Sequence, residues 1–282
     1  MNLVEDVRLL LSYPFMVNAL RAGTIVAVVA GAIGYFMVLR RESFAGHTLA
    51  VIGFPGAAGA TWLGINAAFG YFGFCIAGAL VIAAIPARHG GHSEESAAIG
   101  TVQAMALAAG FLFVSLYKGF LSGLNSLLFG TIIGVTDDQV VVLAVAGGAC
   151  LLVLVAMARP LLFVSIDPAV AAARGVPVRL VNGAFLILLG VAAAGTSQVT
   201  GSLLVFALLV APAATATRLT ASPAVGVLIS VAVAVLVTLI GEAIAYFSPY
   251  PIGFWVTSLA FGCYLLATGY RAIADRTRVR TA

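Results

Sequence analysis

Nine apolar blocks, most of them close to the length of a membrane-crossing helix, constrain what this chain can fold into. A helix needs about 20 mostly apolar residues to cross the hydrocarbon of a bilayer. The blocks lack the alternation of apolar and polar residues that a strand requires, so we predict helices and not a barrel. The blocks are Phe15–Leu39, Thr48–Asn66, Tyr71–Ile85, Ala97–Tyr117, Val140–Met157, Leu180–Thr196, Ser202–Thr217, Ala224–Tyr246 and Gly253–Tyr270.

The predicted fold is all-α, a polytopic transmembrane helical domain that takes in all of residues 1–282. The third and seventh blocks are short, so eight spans is the alternative to nine. Of the 282 residues, 62% are hydrophobic and only 9% are charged, whereas soluble domains carry about 25% charged residues. We therefore expect a multi-pass protein of the cell membrane, surrounded by lipid.

The positive charges indicate how the spans are oriented. With nine spans, every arginine-bearing loop and the C-terminal tail fall on one face, which the positive-inside rule makes cytoplasmic. The N-terminus is then external. Orientation also explains the net charge of +4, so no nucleic-acid partner is needed. The arginines are Arg40, Arg41, Arg88, Arg174, Arg179, Arg218, Arg271, Arg276, Arg278 and Arg280.

One polar interruption, Asp167–Val178, has the pattern of a short, firmly capped helix. Asp167 can accept bonds from free backbone N–H groups, and Pro168 suits the first helical position. The alanines that follow favour helix, and Gly175 and Pro177 favour its termination. We predict about two turns of helix on the cytoplasmic face. It is either a plain connector or a docking element.

Few polar residues lie within or at the ends of the predicted spans. His47 could contact a passing metal or chelate, or it could simply lie near the headgroups at a helix start. Glu242 lies in an apolar span, where carboxylates usually face a cavity or a partner. Arg21 either extends to the headgroups or pairs with Glu242.

Other features are weaker as functional signals. His89, His92, Glu94 and Glu95 could bind a metal or form a solvated loop, and Leu121–Val135 could be an interfacial or re-entrant segment. No phosphate-binding loop and no catalytic set of residues occurs in the sequence, so we predict no catalytic residues and no cofactor on this chain. The chain is predicted not to be an enzyme.

Several ordered motifs resemble one transporter family, the permease subunits of ATP-binding-cassette importers for manganese, zinc and iron. Pro14–Leu20 and the pair Arg40-Arg41 match its opening and the end of its first span. The later stretches Leu128-Phe129-Gly130, Asp167–Val178 and Leu204–Ala216 match its external signature, coupling segment and proline-containing span.

The resemblance implies a mechanism and partners. It implies a homodimer that receives its substrate from an extracytoplasmic binding protein and is driven by a separate ATPase subunit that holds ATP and magnesium. Residues 165–178 would be the coupling segment that docks on the ATPase. Its expected contact residues are Asp167, Pro168, Ala169, Ala172 and Gly175.

The chain departs from the family where the substrate passes. The family's second span usually opens Gly-Asp-x-x-x-His, and here His47 stands at the Asp position and Val51 at the His position. His47 is thus the remaining candidate metal ligand, and His47 and Glu242 are the expected pathway residues. A divalent metal ion is the predicted substrate. A metal chelate, another solute, or ATP-independent secondary transport are the alternatives.

Overall fold

The computed structural model describes residues 12–85, 92–117, 134–202 and 205–281, with the side chains of 92–95 and 275–281 excluded. These residues form α-helices and no strand. The main helices are α1 (Pro14–Leu39), α2 (Ser43–Trp62), α3 (Ala67–Ala84), α4 (His92–Leu116), α5 (Asp137–Ile166), α6 (Pro168–Ala173), α7 (Val178–Thr200), α8 (Val205–Leu219), α9 (Pro223–Tyr246) and α10 (Ile252–Thr281).

Each of the nine apolar blocks corresponds to one of these helices, and the prediction of an all-helical fold is confirmed for the described residues. Within the described ranges, seven helices are long and apolar enough to cross a membrane. The other two that match blocks are α2 and α8, and α8 is only 15 residues long. The count of eight or nine spans stays a prediction.

Several helix bounds differ from the predicted blocks, and two of these differences bear on how the segments connect. Asn66 is the N-cap of α3 and accepts a bond from the Ala68 N–H, so the third block is a full helix of 18 residues. Helix α5 continues through Pro160 to Ile166, past the predicted end at Met157. The fifth span therefore leads directly into the capped segment.

Helices α1 and α2 form the interior of the molecule. Helix α1 packs against α5, α7, α8 and α9, and α2 packs against α3, α4, α7 and α8. From Ala45 to Ala60 every residue of α2 except His47 is buried. A helix enclosed by other helices does not need the apolar surface that lipid demands, which explains how α2 can be rich in glycine and alanine.

Small residues allow α1 to pack closely against α9. Gly31 lies against the backbone of Val231, and the Ser230 hydroxyl donates to the Gly31 carbonyl over 2.7 Å. Gly23 lies against the Glu242 side chain. Because the partner's number falls as the number along α1 rises, the two helices are antiparallel.

Three predicted features lie outside the described residues. They are the signature Leu128-Phe129-Gly130, nearly all of the segment Leu121–Val135, and the side chains of the alternative metal cluster His89, His92, Glu94 and Glu95.

Candidate functional site

The capped segment has the N-terminus that its sequence predicts. The Asp167 backbone is extended, and its Oδ1 accepts from the N–H groups of Ala169 at 2.9 Å and Val170 at 3.0 Å. Pro168 occupies the first helical position. Two of the otherwise unbonded N–H groups at the helix start are thus satisfied by one carboxylate, which holds the six-residue helix α6 in place.

The C-terminus of α6 is a Schellman motif. Gly175 has φ +82°, a left-handed conformation that side chains disfavour. Its N–H bonds to the Ala172 carbonyl, and the Val176 N–H bonds to the Ala171 carbonyl, both at 3.0 Å. Both ends of α6 are therefore fixed by local bonds and do not depend on a partner.

The segment presents most of its surface outward. Asp167, Pro168, Ala169, Ala172 and Gly175, the five predicted contact residues, are all exposed. Ala171 is fully buried and anchors α6, which packs on α5 and α7. This anchor was not predicted, because the sequence of four alanines among five residues does not show which one faces the protein.

His47 lies on the first turns of α2. Its ring meets Phe206 of α8 edge to face, with centroids 5.0 Å apart. The imidazole is partly exposed, and its Nδ1 is buried without a hydrogen-bond partner among the described residues. Val51, at the position four residues on, is buried with 7% exposure. The face that carries a metal-binding pair in the resembled family thus holds one imidazole and one apolar side chain.

Glu242 is fully buried on α9. Its carboxyl group lies against Gly23 of α1, and neither oxygen has a hydrogen-bond partner among the described residues. Arg21 is exposed, so the predicted alternative of an Arg21–Glu242 pair is wrong. Thr238, one turn earlier on α9, is also fully buried with its hydroxyl unbonded. Glu242 and Thr238 are thus two buried polar groups, one turn apart on α9, without hydrogen-bond partners among the described residues.

Within the part of the chain that is described, no three His, Cys, Asp or Glu side chains come together in a way that could hold a metal ion. Cys75, Cys150 and Cys263 are free thiols. His47 and Glu242 are therefore isolated polar groups on different helices, and neither belongs to a ready-made metal site.

Arg40, which was predicted to lie on the positive face at the end of the first span, also makes several contacts inside the protein. Its side chain is 5% exposed and bonds to Glu42, Asn182 and Ser165. No sequence signal distinguishes a buried arginine at a helix end from one that reaches the headgroups.

Comparison with known proteins supports the architecture over nearly the whole chain. Residues 12–271 match the model of the ABC 3 transport family. The chain is 32% identical over 212 residues, 75% of this chain and 72% of the relative, to the manganese transport system membrane protein MntC of Halalkalibacterium halodurans. It is 31% identical to the manganese import system permease protein ScaB of Streptococcus parasanguinis, over 83% of this chain and 82% of that one.

A solved structure agrees with the fold. PsaBC from Streptococcus pneumoniae in complex with Fab superposes with a TM-score of 0.84 at 28% identity, covering 94% of this chain and 95% of that chain. The capped segment, the glycine-packed helices and the ordered motifs thus occur together in a chain that matches one family model from residue 12 to residue 271, and this protein belongs to the ABC 3 transport family.

Proposed function

We propose that this chain is the membrane permease subunit of an ATP-binding-cassette importer for divalent transition metal ions such as manganese, zinc or iron. The observation that carries the proposal is the family match over residues 12–271, together with relatives at 31–32% identity named for manganese transport and import. ATP and magnesium would be held by a separate ATPase subunit, since the sequence has no phosphate-binding loop.

The exposed surface of α6 is the docking element for that ATPase. Three features support this role: helix capping at both ends, the outward direction of the five predicted contact residues, and the position of α6 directly after the long helix α5. A helix that is rigid before it binds loses little conformational freedom on docking. It can also pass on a movement of the partner without melting.

The cargo passes near His47 and Glu242. An imidazole nitrogen is a suitable transient ligand for manganese, iron or zinc, and the Nδ1 of His47 has no partner within the described structure. Buried carboxylates in membrane helices are costly and are usually retained for function. Passage requires weak, transient contacts, so the absence of a three-ligand cluster among the described residues is compatible with transport.

A metal chelate is the second candidate cargo. The observation that favours it is the replacement of the family's carboxylate and imidazole pair by His47 and the buried Val51. A chelate brings its own ligands, so the protein would not have to supply an anionic one.

We further propose nine spans, with an external N-terminus and a cytoplasmic C-terminus. The complete transporter would be a homodimer of this chain with two ATPase subunits, served by an extracytoplasmic binding protein. The charge pattern supports the orientation, and the family membership supports the assembly.

Co-purification tests the docking role of α6. We expect the affinity-tagged protein, extracted in mild detergent from its own cells, to bring down an ATPase subunit. Ala172→Trp should abolish the complex because residue 172 is exposed on the docking surface. Ala221→Trp, the same change at an exposed alanine in the α8–α9 connection, is the control and should leave the complex intact.

Two results would contradict the proposal. If the wild-type protein transports metal while no ATPase is recovered, the chain works as an ATP-independent secondary transporter. If the complex survives Ala172→Trp, the ATPase docks somewhere other than on α6.

A further inference from the structure

Arg40, at the corner between α1 and α2, has a buried side chain. It is the C-cap residue of α1, and its side chain is only 5% exposed, whereas the adjacent Arg41 is exposed. Removing a guanidinium group from water is unfavourable unless its donors are bonded and its charge is balanced. The contacts of Arg40 therefore indicate what holds it inside the protein.

The guanidinium group bonds to three different elements at once. Its Nε and Nη2 donate to Glu42 Oε1 at 3.0 and 2.7 Å, and Nη2 also donates to Asn182 Oδ1 at 2.7 Å. Nη1 donates to Ser165 Oγ at 3.4 Å. The charged carbon lies 5.1 Å from the centre of the Phe185 ring, a favourable cation–π distance.

These partners bracket the proposed coupling helix. Ser165 lies on the last turn of α5, two residues before the Asp167 cap of α6, and Asn182 lies in the first turns of α7, the helix that follows α6. Phe185 is one turn further along α7 and is fully buried. The Arg40 side chain thus joins α5, the helix that precedes α6, to α7, the helix that follows it.

The remaining partner connects this network to the helix that carries His47. Glu42 is the N-cap residue of α2, five positions before His47. The corner itself is tight, since Arg41 has φ +60° and the Glu42 N–H bonds to the Met37 carbonyl at 3.0 Å. A displacement of the end of α5 or the start of α7, the two elements on either side of α6, would therefore be transmitted to the start of α2 through Arg40.

We propose that Arg40 is a positioning residue that links movement of the coupling helix α6 to helix α2 and its His47. This inference rests on the proposed function of the chain. Arginine suits the role because its planar group holds several donors in fixed directions, whereas a lysine ammonium is a flexible point charge. The link is a contiguous set of hydrogen bonds across three elements, a physical route by which two sites can be coupled.

The test measures metal taken up per ATP hydrolysed by the complete transporter, with its ATPase subunits, in proteoliposomes. Arg40→Ala should leave the complex assembled and hydrolysing ATP, while uptake per ATP falls by about tenfold, within the range usual for coupling between sites. Arg40→Lys should restore only part of the ratio. Arg41→Ala removes an equal charge from the neighbouring exposed position and should leave the ratio unchanged.

A double-mutant cycle separates the link from general damage. Asn182→Ala removes one bond of Arg40 and should lower the ratio less than Arg40→Ala does. The double variant should be no worse than Arg40→Ala alone, because both changes break the same contact. Strictly additive effects would overturn the inference.

The possible failures are distinguishable. If the wild-type complex shows no ATP-dependent metal uptake, the proposed function fails. If the wild type is coupled and Arg40→Ala has the same uptake per ATP, only the inference about Arg40 fails. Where Arg40→Ala does not assemble, Asn182→Ala and Ser165→Ala decide, since each removes one partner, and unchanged ratios in both would overturn the link.

Discussion

Glu242 is the residue whose burial is hardest to explain by stability. Its carboxyl group is enclosed between α9 and Gly23 of α1, without a hydrogen-bond partner among the described residues. Leaving a buried polar group unbonded costs about 1–3 kcal/mol. A residue that lowers stability in this way is typical of a functional site.

We expect Glu242→Met to separate stability from transport. Methionine has a similar unbranched shape and no group to desolvate, so the melting temperature of the purified protein should rise, while metal uptake by cells should fall. The gain should correspond to about 1–3 kcal/mol, the penalty of an unbonded buried group. A thermal unfolding assay in detergent and an uptake assay on the same variant measure the two effects.

Thr238→Val serves as the control, because it removes a neighbouring unbonded hydroxyl with little change in volume. It should raise the melting temperature without affecting uptake. The account of Glu242 is wrong if Glu242→Met destabilises the protein while uptake per molecule stays normal.

How far the site could be predicted depended on the kind of residue. Asp167 and Gly175 were predictable because capping and left-handed turns demand particular residue types locally. Ala171 and Arg40 were not, since their roles depend on which neighbours from distant parts of the chain surround them. The predicted alternative of an Arg21–Glu242 pair was wrong for the same reason.

At the scale of single elements, helix α6 owes its order to its caps. With only six residues it is too short to be stable alone. Its two hydrogen bonds to Asp167 and its Schellman motif stabilise the helix despite its short length.

Asp167→Ala should loosen α6 and weaken ATPase binding. Loss of an N-cap costs about 1 kcal/mol, so affinity for the ATPase subunit should fall by about fivefold. Amide hydrogen exchange in residues 168–173 should become faster. Asp167→Asn is the matched control because asparagine caps helices about as well as aspartate. Equal loss of binding in both variants would show that the charge, and not the cap, matters.

Close approach of helices determines the packing of the bundle. A Cβ atom on Gly34 of α1 would collide with the Leu209 carbonyl oxygen of α8, while one on Gly148 of α5 would meet nothing within 4 Å. Gly34→Leu should therefore destabilise the protein by about 1–3 kcal/mol, the usual cost of overpacking. Gly148→Leu should be close to neutral.

Thermal unfolding of the two variants in the same detergent measures the difference. Similar melting temperatures for Gly34→Leu and Gly148→Leu would contradict the α1–α8 packing described above.

The existence of the nine described helices that match the apolar blocks could be predicted from those blocks, but the residues at which they begin and end could not. Helix α5 passes Pro160 because a proline inside a membrane helix can be tolerated when the surrounding structure satisfies the freed carbonyl. Asn66 reads as the end of one apolar block, yet it caps the next helix. Helix ends depend on local hydrogen bonds, which cannot be inferred from the pattern of apolar residues.

At the scale of the whole molecule, the order of the helices explains how the proposed transporter is arranged. The contacts of Arg40 place the α1–α2 corner, the end of α5 and the start of α7 at one end of the bundle, as the positive-inside pattern predicts for the cytoplasmic face. Helix α6, the proposed docking element, lies at that same end. The fold was predictable at this scale because membrane insertion leaves few alternatives to a helical bundle.

We propose that this chain imports metal through an ATPase docked on α6. The most direct test is the metal content of cells that lack the gene, grown under manganese, zinc and iron limitation in turn, and resupplied with wild type, Ala172→Trp or Ala221→Trp. We predict a selective fall of one metal, restored by wild type and by Ala221→Trp but not by Ala172→Trp. No change in any metal on deletion, or full restoration by Ala172→Trp at equal protein level, would contradict the claim.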